Sequence, residues 1–477
     1  MIRRENPARV AEIVGSVAET SPNEVDAVVW AADAEFRRWR ATALDERLAL
    51  LTRAAEAIED ALADLSVLLA RETGQVLGDC RAEIGHAVRH LRWVVATAPA
   101  AFADEEIHDG WGNIVRQRRP YGVIAAIVPG NAPVLLAMIK IAPALAAGNA
   151  VVLKPSPLAP LTLDRIVRLI GGPLRIVHGG AETGAALAGH ELVRRVAFTG
   201  GASGGRAVAA VAGGRLVPAE WLGGDESRGW LGGDGAAGWL GGDGAAGWLG
   251  GTHAAGWLGG DEAAGWLGGS DSAVFLDDAP FDDPAMDRLV RATFATGGQV
   301  RMAARRLFVP ATRLKDFVEA YEAAAARVLV TGDPLADGVT MGPVISAAAQ
   351  KAAELMRGDD CRDLGRFDAD PETGYFVRPC LVVEPDPRDP VVSAERFAPV
   401  VPVLGYRDEE AVPAAATNGD AGPVVTVWSA DRERAMSFAR RFEAGVVFVN
   451  CHGQTGVRHT RCLTAYVRNC VIHTPPG

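Results

Sequence analysis

Two groups of residues in this sequence have types and spacing suited to chemistry. Three glycines, Gly200, Gly201 and Gly205, follow the apolar run that ends at Phe198. Glycines at a turn from a strand into a helix let backbone N–H groups approach phosphates, although an ordinary turn uses the same residue type. The six cysteines lack the close spacing of metal ligands, and they suit reduced thiols better than a disulfide scaffold. The sequence therefore indicates no metal site. The cysteines are Cys80, Cys361, Cys380, Cys451, Cys462 and Cys470.

Composition limits the classes of protein to which the chain can belong. Its 477 residues include 48 Lys and Arg against 59 Asp and Glu, a net charge of −11, so nucleic acid is a poor partner. With 49% apolar residues, the chain has enough hydrophobic material for two or three folded domains. The first residues lack an apolar signal core, and prolines and polar residues interrupt the longest apolar stretch, residues 124–153. We predict a cytoplasmic protein without a membrane span.

A tandem repeat interrupts the chain between residues 221 and 269. The unit Trp-Leu-Gly-Gly recurs every nine residues. Nine residues make about two and a half helical turns, so neither a helix nor a strand buries all the tryptophans on one face. We predict a loop-rich coil or a small solenoid. A calcium-binding nonapeptide pattern overlaps the repeat, but Ala237 stands at its Asp position, which favours a duplicated surface loop. The six units begin at Trp221, Trp230, Trp239, Trp248, Trp257 and Trp266.

The elements that must position any site follow from periodicity. Apolar residues recur at helical spacing over residues 22–70. Strand-like runs at 122–128, 150–153 and 174–177 then alternate with helical segments, and a second alternating series extends from 273 to 448. Alternation of strands and helices predicts an α/β fold with parallel sheets in two domains.

Long motifs make the chain resemble the aldehyde dehydrogenase superfamily. The strongest are YGVIAAIVPGN at 121–131 and KIAPALAAGNAVVLKPS at 140–156. Shorter matches follow in family order: RETG at 71–74, FTGG at 198–201, FLDDA at 275–279, GQV at 298–300, MGPVIS at 341–346 and ERF at 395–397.

The resemblance implies a fold and an assembly. The implied architecture is a Rossmann-type nicotinamide cofactor domain, an α/β catalytic domain and a small bridging arm, assembled as a homodimer or homotetramer. The implied boundaries are 1–106 with 120–220 for the cofactor domain, 107–119 with 460–477 for the arm, 221–269 for the inserted repeat, and 270–459 for the catalytic domain.

The resemblance also implies a coenzyme site. Lys154 matches the lysine that holds the adenosine ribose, with Ser156 beside it, and the glycines Gly200, Gly201 and Gly205 match the loop at the phosphates. Glu395 and Phe397 match the element that holds and flanks the nicotinamide ribose, where a carboxylate accepts two ribose hydroxyls. Pro157 stands where many NAD-preferring members place a glutamate. NAD and NADP both remain possible coenzymes.

The implied reaction is NAD(P)-dependent oxidation of an aldehyde to a carboxylic acid. It needs a thiolate to attack the aldehyde, a hydride transfer, and a carboxylate-activated water that hydrolyses the thioester. Asn131 matches the asparagine that stabilises the oxyanion, although a turn-forming asparagine before Ala-Pro is the alternative. Arg301 occupies the position of the nucleophilic cysteine, and Met302 follows it. Guanidinium and thioether groups cannot replace a thiolate at neutral pH.

The general base is displaced as well. The family's Glu-Leu-Gly-Gly motif reads Trp-Leu-Gly-Gly here, with Trp266 at the last repeat and Trp221 at the first. Glu220 lies one residue too early, and only a bulge would point it inward, because a one-residue shift reverses the facing of a strand. The family's Pro-Phe-Gly-Gly loop is also absent: the chain reads CHGQTG at 451–456, after which 465–472 has the composition of a terminal bridging strand.

Three functions therefore compete. The first is a family member that has lost thiol-dependent turnover, with coenzyme binding still possible. The second is an active oxidoreductase in which a substitute such as Cys451 supplies the nucleophile, against the simpler interpretation of a packed cysteine. The third is an interaction protein that presents the repeat tryptophans as an adhesive surface.

Overall fold

The computed structural model describes residues 1–109, 112–215, 217–222, 271–300, 303–358, 361–394, 397–417, 424–444, 446–452 and 461–474. The predicted repeat therefore lies outside the described residues beyond 222.

The first half of the described chain has an N-terminal hairpin and four consecutive helices, and from β5 onward its strands alternate with helices. Its strands are β1 (Ile2–Asn6), β2 (Arg9–Val17), β3 (Glu105–Asp109), β4 (Gly112–Pro120), β5 (Val123–Ile127), β6 (Ala150–Lys154), β7 (Leu174–Ile176), β8 (Val193–Thr199) and β9 (Ala219–Leu222). Its helices are α1 (Pro22–Trp39), α2 (Leu44–Asp60), α3 (Leu62–Thr73), α4 (Leu77–Ala101), α5 (Pro133–Ala146), α6 (Leu161–Ile170), α7 (Ala181–Gly189) and α8 (Ala202–Gly213).

The second half repeats this alternation with shorter elements. Its strands are β10 (Ser272–Phe275), β11 (Arg306–Pro310), β12 (Val330–Thr331), β13 (Arg362–Asp363), β14 (Arg366–Phe367), β15 (Cys380–Val383), β16 (Val400–Tyr406), β17 (Val424–Trp428), β18 (Val446–Val449) and β19 (Val467–Thr474). Its helices are α9 (Asp283–Phe294), α10 (Leu314–Val328), α11 (Ala347–Arg357), α12 (Pro390–Ser393), α13 (Val412–Ala416), α14 (Arg432–Ala439) and α15 (Arg461–Thr464).

Two sheets carry the fold. A five-stranded parallel sheet has the order β7-β6-β5-β8-β9, and a seven-stranded sheet has the order β13-β15-β16-β11-β10-β17-β18, in which β13 pairs antiparallel and the other pairs are parallel. β19 pairs with β4 over eight residues, and β3 completes that antiparallel sheet. The predicted strands are present, and the domain boundaries stay a prediction.

Helices cover both faces of the five-stranded sheet because its central strand is apolar throughout. Ile124 and Ala126 of β5 pack into one core cluster with α2 to α6. Val123, Ala125 and Ile127 pack into another, with α1, α7 and α8. Successive strand side chains point to opposite faces, so a continuous apolar run is what a doubly covered strand requires.

The N-terminal hairpin was not predicted, and it links the two halves of the chain. Arg4 in β1 is fully buried; its Nε donates to the Glu72 carbonyl at 2.8 Å and its Nη2 donates to the Ile345 carbonyl at 2.6 Å. Burial lowers the pKa of Arg4, and the nearby carboxylates of Glu5 and Glu72 oppose that shift. One guanidinium therefore connects α3 to the loop before α11.

Within the described part of the chain, no helix is long and apolar enough to cross a membrane.

Candidate active site

A left-handed turn shapes the loop that leads to the predicted nucleophile position. Thr296, Gly297 and Gly298 have φ angles of 49°, 69° and 70°. A Cβ on Gly298 would lie 2.4 Å from the carbonyl oxygen of Ala398. Both the backbone conformation and the lack of space require glycine at this position. After the turn, Gln299 contacts the first half of the chain at Asn131.

Asn131 contacts this loop directly. Its Nδ2 donates to the Gln299 carbonyl at 2.7 Å, and Gln75 Nε2 donates to the Asn131 carbonyl at 2.7 Å. The side chain of Gln299 donates to the Thr296 carbonyl at 2.8 Å and accepts from the Ile345 N–H at 3.0 Å. Asn131 is thus fixed between the connection from α3 to α4 and the loop. A primary amide carries two N–H donors, so the second N–H of Asn131 can serve a developing oxyanion.

A buried carboxyl holds the helix that follows Asn131. Glu83 Oε1 accepts from the N–H groups of Val134 at 2.7 Å and Leu135 at 3.1 Å, which belong to the first turn of α5. Burial raises the pKa of Glu83 to about 7, and the two backbone hydrogen bonds only partly oppose the shift. Sequence reasoning missed Glu83, because a single glutamate within a helical pattern gives no local signal that it caps another helix.

Lys154 lies at the carboxyl end of β6. Its side chain is buried, and burial lowers its pKa to about 8. Nζ donates to the Pro155 carbonyl at 3.2 Å. Ser156 follows, with Oγ accepting from the Leu158 N–H at 3.2 Å. The predicted ribose-binding residues therefore lie at the edge of the sheet where ligands of parallel α/β folds bind.

The glycine motif lies at the same sheet edge and begins a helix. β8 ends at Thr199, and Gly201 is the N-cap residue of α8, where no side chain caps the helix. The Gly205 N–H donates to the Gly201 carbonyl at 3.0 Å. A Cβ on Gly201 would meet no atom within 4 Å, whereas a Cβ on Gly200 would lie 2.5 Å from Phe198 Cζ. The helix start is open, which is the arrangement that binds phosphates.

Phe397 lies near the loop that leads to the predicted nucleophile position, and an arginine contacts both. This arginine was not predicted from the sequence. The Arg305 guanidinium carbon lies 4.3 Å from the centroid of the Phe397 ring. Arg305 Nη2 donates to the Val300 carbonyl at 3.1 Å, and its side chain is buried. Arg305 immediately precedes β11, and a charged residue beside a strand carries no local signal of a role in a site. The structure brings Phe397, Arg305 and the loop together.

Several predicted site residues cannot be placed. Arg301, Trp266 and Glu395 lie outside the described residues. The backbone of Glu220 belongs to β9, opposite Ala197 in β8, and the backbone of Trp221 is opposite Phe198. The roles assigned to these residues stay predictions.

Cys451 follows a tight turn beyond β18. Asn450 has a φ of 55°, and its side chain exchanges hydrogen bonds with the Ser429 backbone at 2.9 and 3.0 Å. The Cys451 thiol is partly buried and free. Among the described residues, no hydrogen bond connects Cys451 to Asn131 or to the Val300 loop.

Comparison with known proteins agrees with the resemblance in the sequence. The model of the aldehyde dehydrogenase family matches residues 1–227 and 263–461. The geranial dehydrogenase of Castellaniella defragrans is 30% identical over 459 residues, which are 93% of this chain and 86% of that protein. The glutarate-semialdehyde dehydrogenase of Pseudomonas putida is 27% identical over 469 residues, which are 94% of this chain and 86% of that protein.

A solved structure shows the same fold. A mutant of aldehyde dehydrogenase C from Pseudomonas syringae, in complex with NAD+ and octanal, matches with a TM-score of 0.81 at 26% identity, over 99% of this chain and 93% of that chain. The predicted α/β fold of the aldehyde dehydrogenase type is thereby confirmed. Because the family model matches most of its length, this chain belongs to the aldehyde dehydrogenase family.

Proposed function

We propose that this chain is an aldehyde dehydrogenase-type protein that binds NAD or NADP but has lost the thiol-dependent oxidation of aldehydes. The named relatives are dehydrogenases, which supports the family reaction as the ancestral activity. The 2.7 Å contact between Asn131 Nδ2 and the Gln299 carbonyl carries the proposal. This contact positions an oxyanion-stabilising amide beside the loop. Two residues after Gln299 in that loop, the sequence has Arg301 instead of a cysteine.

The residues at the carboxyl edge of the five-stranded sheet fit a nicotinamide coenzyme. The open helix start at Gly201 leaves space for phosphates, and Lys154 lies at the same carboxyl edge of the sheet, on β6, with β5 between β6 and β8. In this proposal Ser156, Gly200 and Gly205 complete the adenosine side, and Glu395 with Phe397 holds the nicotinamide ribose. A bound coenzyme supplies the hydride acceptor. The related structure that contains NAD+ and octanal supports a coenzyme and an aldehyde as the ligands.

The chemistry fails, in this proposal, at the nucleophile and at the base. Asn131 polarises an aldehyde carbonyl, but Arg301 has no lone pair to attack it. The base position holds Trp266 or Trp221, and Glu220 is one register position away. Because neighbouring strand residues face opposite sides of a sheet, Glu220 is not expected to replace the base.

The three-stranded sheet β19-β4-β3 supports the predicted homodimer or homotetramer. β19 is an edge strand, and two of its apolar side chains are exposed, Val471 at 59% and Ile472 at 43%. An unpaired strand edge with exposed apolar residues favours pairing with another chain. Sedimentation of the purified protein measures the oligomeric state, and a monomer at all concentrations would contradict this part of the proposal.

The experiment restores the nucleophile. The Arg301→Cys variant, treated with an activated ester, is expected to acquire an acyl label at position 301, because Asn131 stabilises the oxyanion. Met302→Cys is the matched control, since it adds a thiol one residue away from the predicted position. Labelling located by peptide mapping in Arg301→Cys but not in Met302→Cys supports the proposal. Equal labelling of both variants, or no labelling of either, would contradict it.

A further inference from the structure

A cavity lies at the amino edge of the five-stranded sheet. It has a volume of about 380 Å³ and lies between the last turn of α1 and the starts of β5 and β8. The predicted coenzyme-binding residues Lys154 and Gly200 lie instead at the carboxyl ends of β6 and β8. In a parallel sheet the amino and carboxyl ends of the strands lie at opposite edges. The cavity is therefore separate from the candidate active site.

The cavity is positively charged although the whole chain is acidic. Three arginines line it, Arg37, Arg40 and Arg194, together with one carboxylate, Asp33. Arg37 is neutralised by Asp33, with N–O distances of 2.8 and 3.0 Å. Arg40 and Arg194 form no ion pair with the residues that the structure describes. Two guanidinium charges thus remain for a ligand, in a protein whose net charge is −11.

A β-bulge directs one of these arginines into the cavity. Val123 of β5 pairs with Val193 of β8, but the next residue, Ile124, pairs with Arg195, so Arg194 is the extra residue on its strand. Bulges change the direction of a side chain and occur often beside functional sites.

Gly122 makes room for the bulged side chain. Its φ is +139°, and a Cβ there would lie 2.9 Å from Arg194 Cγ and 3.9 Å from Phe36 Cε1. The methylene stem of Arg194 therefore crosses the glycine towards α1. Only a residue without a side chain permits this path.

Aromatic rings form the remaining wall. Phe36 and Tyr121 line the cavity. The Arg40 guanidinium carbon lies 5.9 Å from the Phe36 ring centroid, and the buried Arg195 lies 5.5 Å from the Tyr121 ring centroid. Aromatic rings pair with other rings, and guanidinium groups bind anions, so this wall suits a ligand that has both a ring and a negative charge.

We propose that this cavity binds a small aromatic phosphate monoester. Guanidinium groups match phosphate oxygens with paired hydrogen bonds, and a dianionic phosphate balances the charges of Arg40 and Arg194, whereas a carboxylate would balance only one. The ring of the ligand packs against Phe36 and Tyr121. A volume of about 380 Å³ lies at the lower end of the range for small-molecule sites, which suits a ligand with one ring system.

Calorimetric titration with phenyl phosphate tests this site. The unaltered protein is expected to bind the probe, and the double variant Arg40→Gln with Arg194→Gln is expected to bind at least about tenfold more weakly, because charge-assisted hydrogen bonds are lost. Arg38→Gln is the matched control, since Arg38 is exposed in the last turn of α1 and does not line the cavity. Both exchanged arginines are exposed, so the double variant should stay folded, which its thermal denaturation checks.

A further variant separates this cavity from the coenzyme site. Lys154→Met is expected to leave phenyl phosphate binding unchanged. If Lys154→Met abolishes binding, the probe occupies the coenzyme site and the proposal is wrong. No heat of binding at millimolar probe, or equal affinity in the double variant and the control, would also overturn it.

Discussion

The two sides of the candidate active site are held in different ways. On the loop side, Asn131, Gln75 and Gln299 form hydrogen bonds across three segments of chain, and Gly298 has no free space. On the coenzyme side, Gly201 has open space and no side chain caps α8. The contacts that hold the loop come from Asn131, Gln75 and Gln299, and none of them is the predicted nucleophile position. In the function that we propose, the geometry of the loop therefore persists although Arg301 stands where the family has a cysteine.

Glycine substitutions are expected to show the largest contrast. Gly298→Ala combines an unfavourable φ with a contact of 2.4 Å to the Ala398 carbonyl, and we expect the free energy of unfolding to fall by about 3 to 4 kcal/mol. Gly201→Ala is the control on the open side, where φ is −68°; because alanine is a poorer N-cap residue than glycine, we expect a loss of about 1 kcal/mol. Denaturant unfolding measures both. Similar losses in the two variants would remove the contrast.

The pH dependence of stability is expected to depend on the buried carboxyl behind Asn131. Burial raises the pKa of Glu83 to about 7, so folding favours its protonated form. This stabilising contribution is complete below the unfolded pKa and is lost as pH rises through about 7. As the pH rises from about 5 to about 8, we expect the titration of Glu83 to lower the free energy of unfolding by about 2 to 3 kcal/mol.

Glu72 is an internal control for that measurement. Burial also raises its pKa to about 7, against hydrogen bonds from Thr162 and Leu161. Glu83→Gln is therefore expected to remove about half of the pH-dependent loss, because its amide stays neutral while its oxygen still accepts from α5. Urea unfolding at several pH values measures the difference. An unchanged pH profile in Glu83→Gln would show that Glu83 is already ionised in the folded protein.

A smaller effect is expected from Asn131 itself. Asn131→Ala removes the donor to the Gln299 carbonyl, and we expect a loss of about 1 to 2 kcal/mol of unfolding free energy. Ser156→Ala, on the open side, removes only a local acceptor for the Leu158 N–H and should cost less. If Ser156→Ala proves the more costly change, the loop side is not the more tightly held of the two.

Local patterns predicted much of the fold. Continuous apolar runs were enough for β5, β6 and β10, because a strand covered on both faces is apolar along most of its length. The short polar hairpin β1–β2 has no such pattern, and its stability depends on Arg4 reaching Glu72 and Ile345 far along the chain.

The site was harder to predict than the fold. Motifs predicted Asn131 and Gly201 as site residues, and those roles stay predictions, whereas Glu83 and Arg305 form contacts between distant segments or across a loop that no motif indicates. Such contacts leave no periodic signal in the sequence. The bulge at Arg194 was missed for the same reason, since a single extra residue in a strand changes no apolar pattern.

The most direct test of the central claim is a steady-state assay of aldehyde oxidation by the unaltered protein. With NAD or NADP and several aldehydes, we expect coenzyme binding by calorimetry but no formation of reduced coenzyme above the blank, because Arg301 supplies no thiolate. Turnover that Cys451→Ser abolishes would contradict this account and would identify Cys451 as the substitute nucleophile.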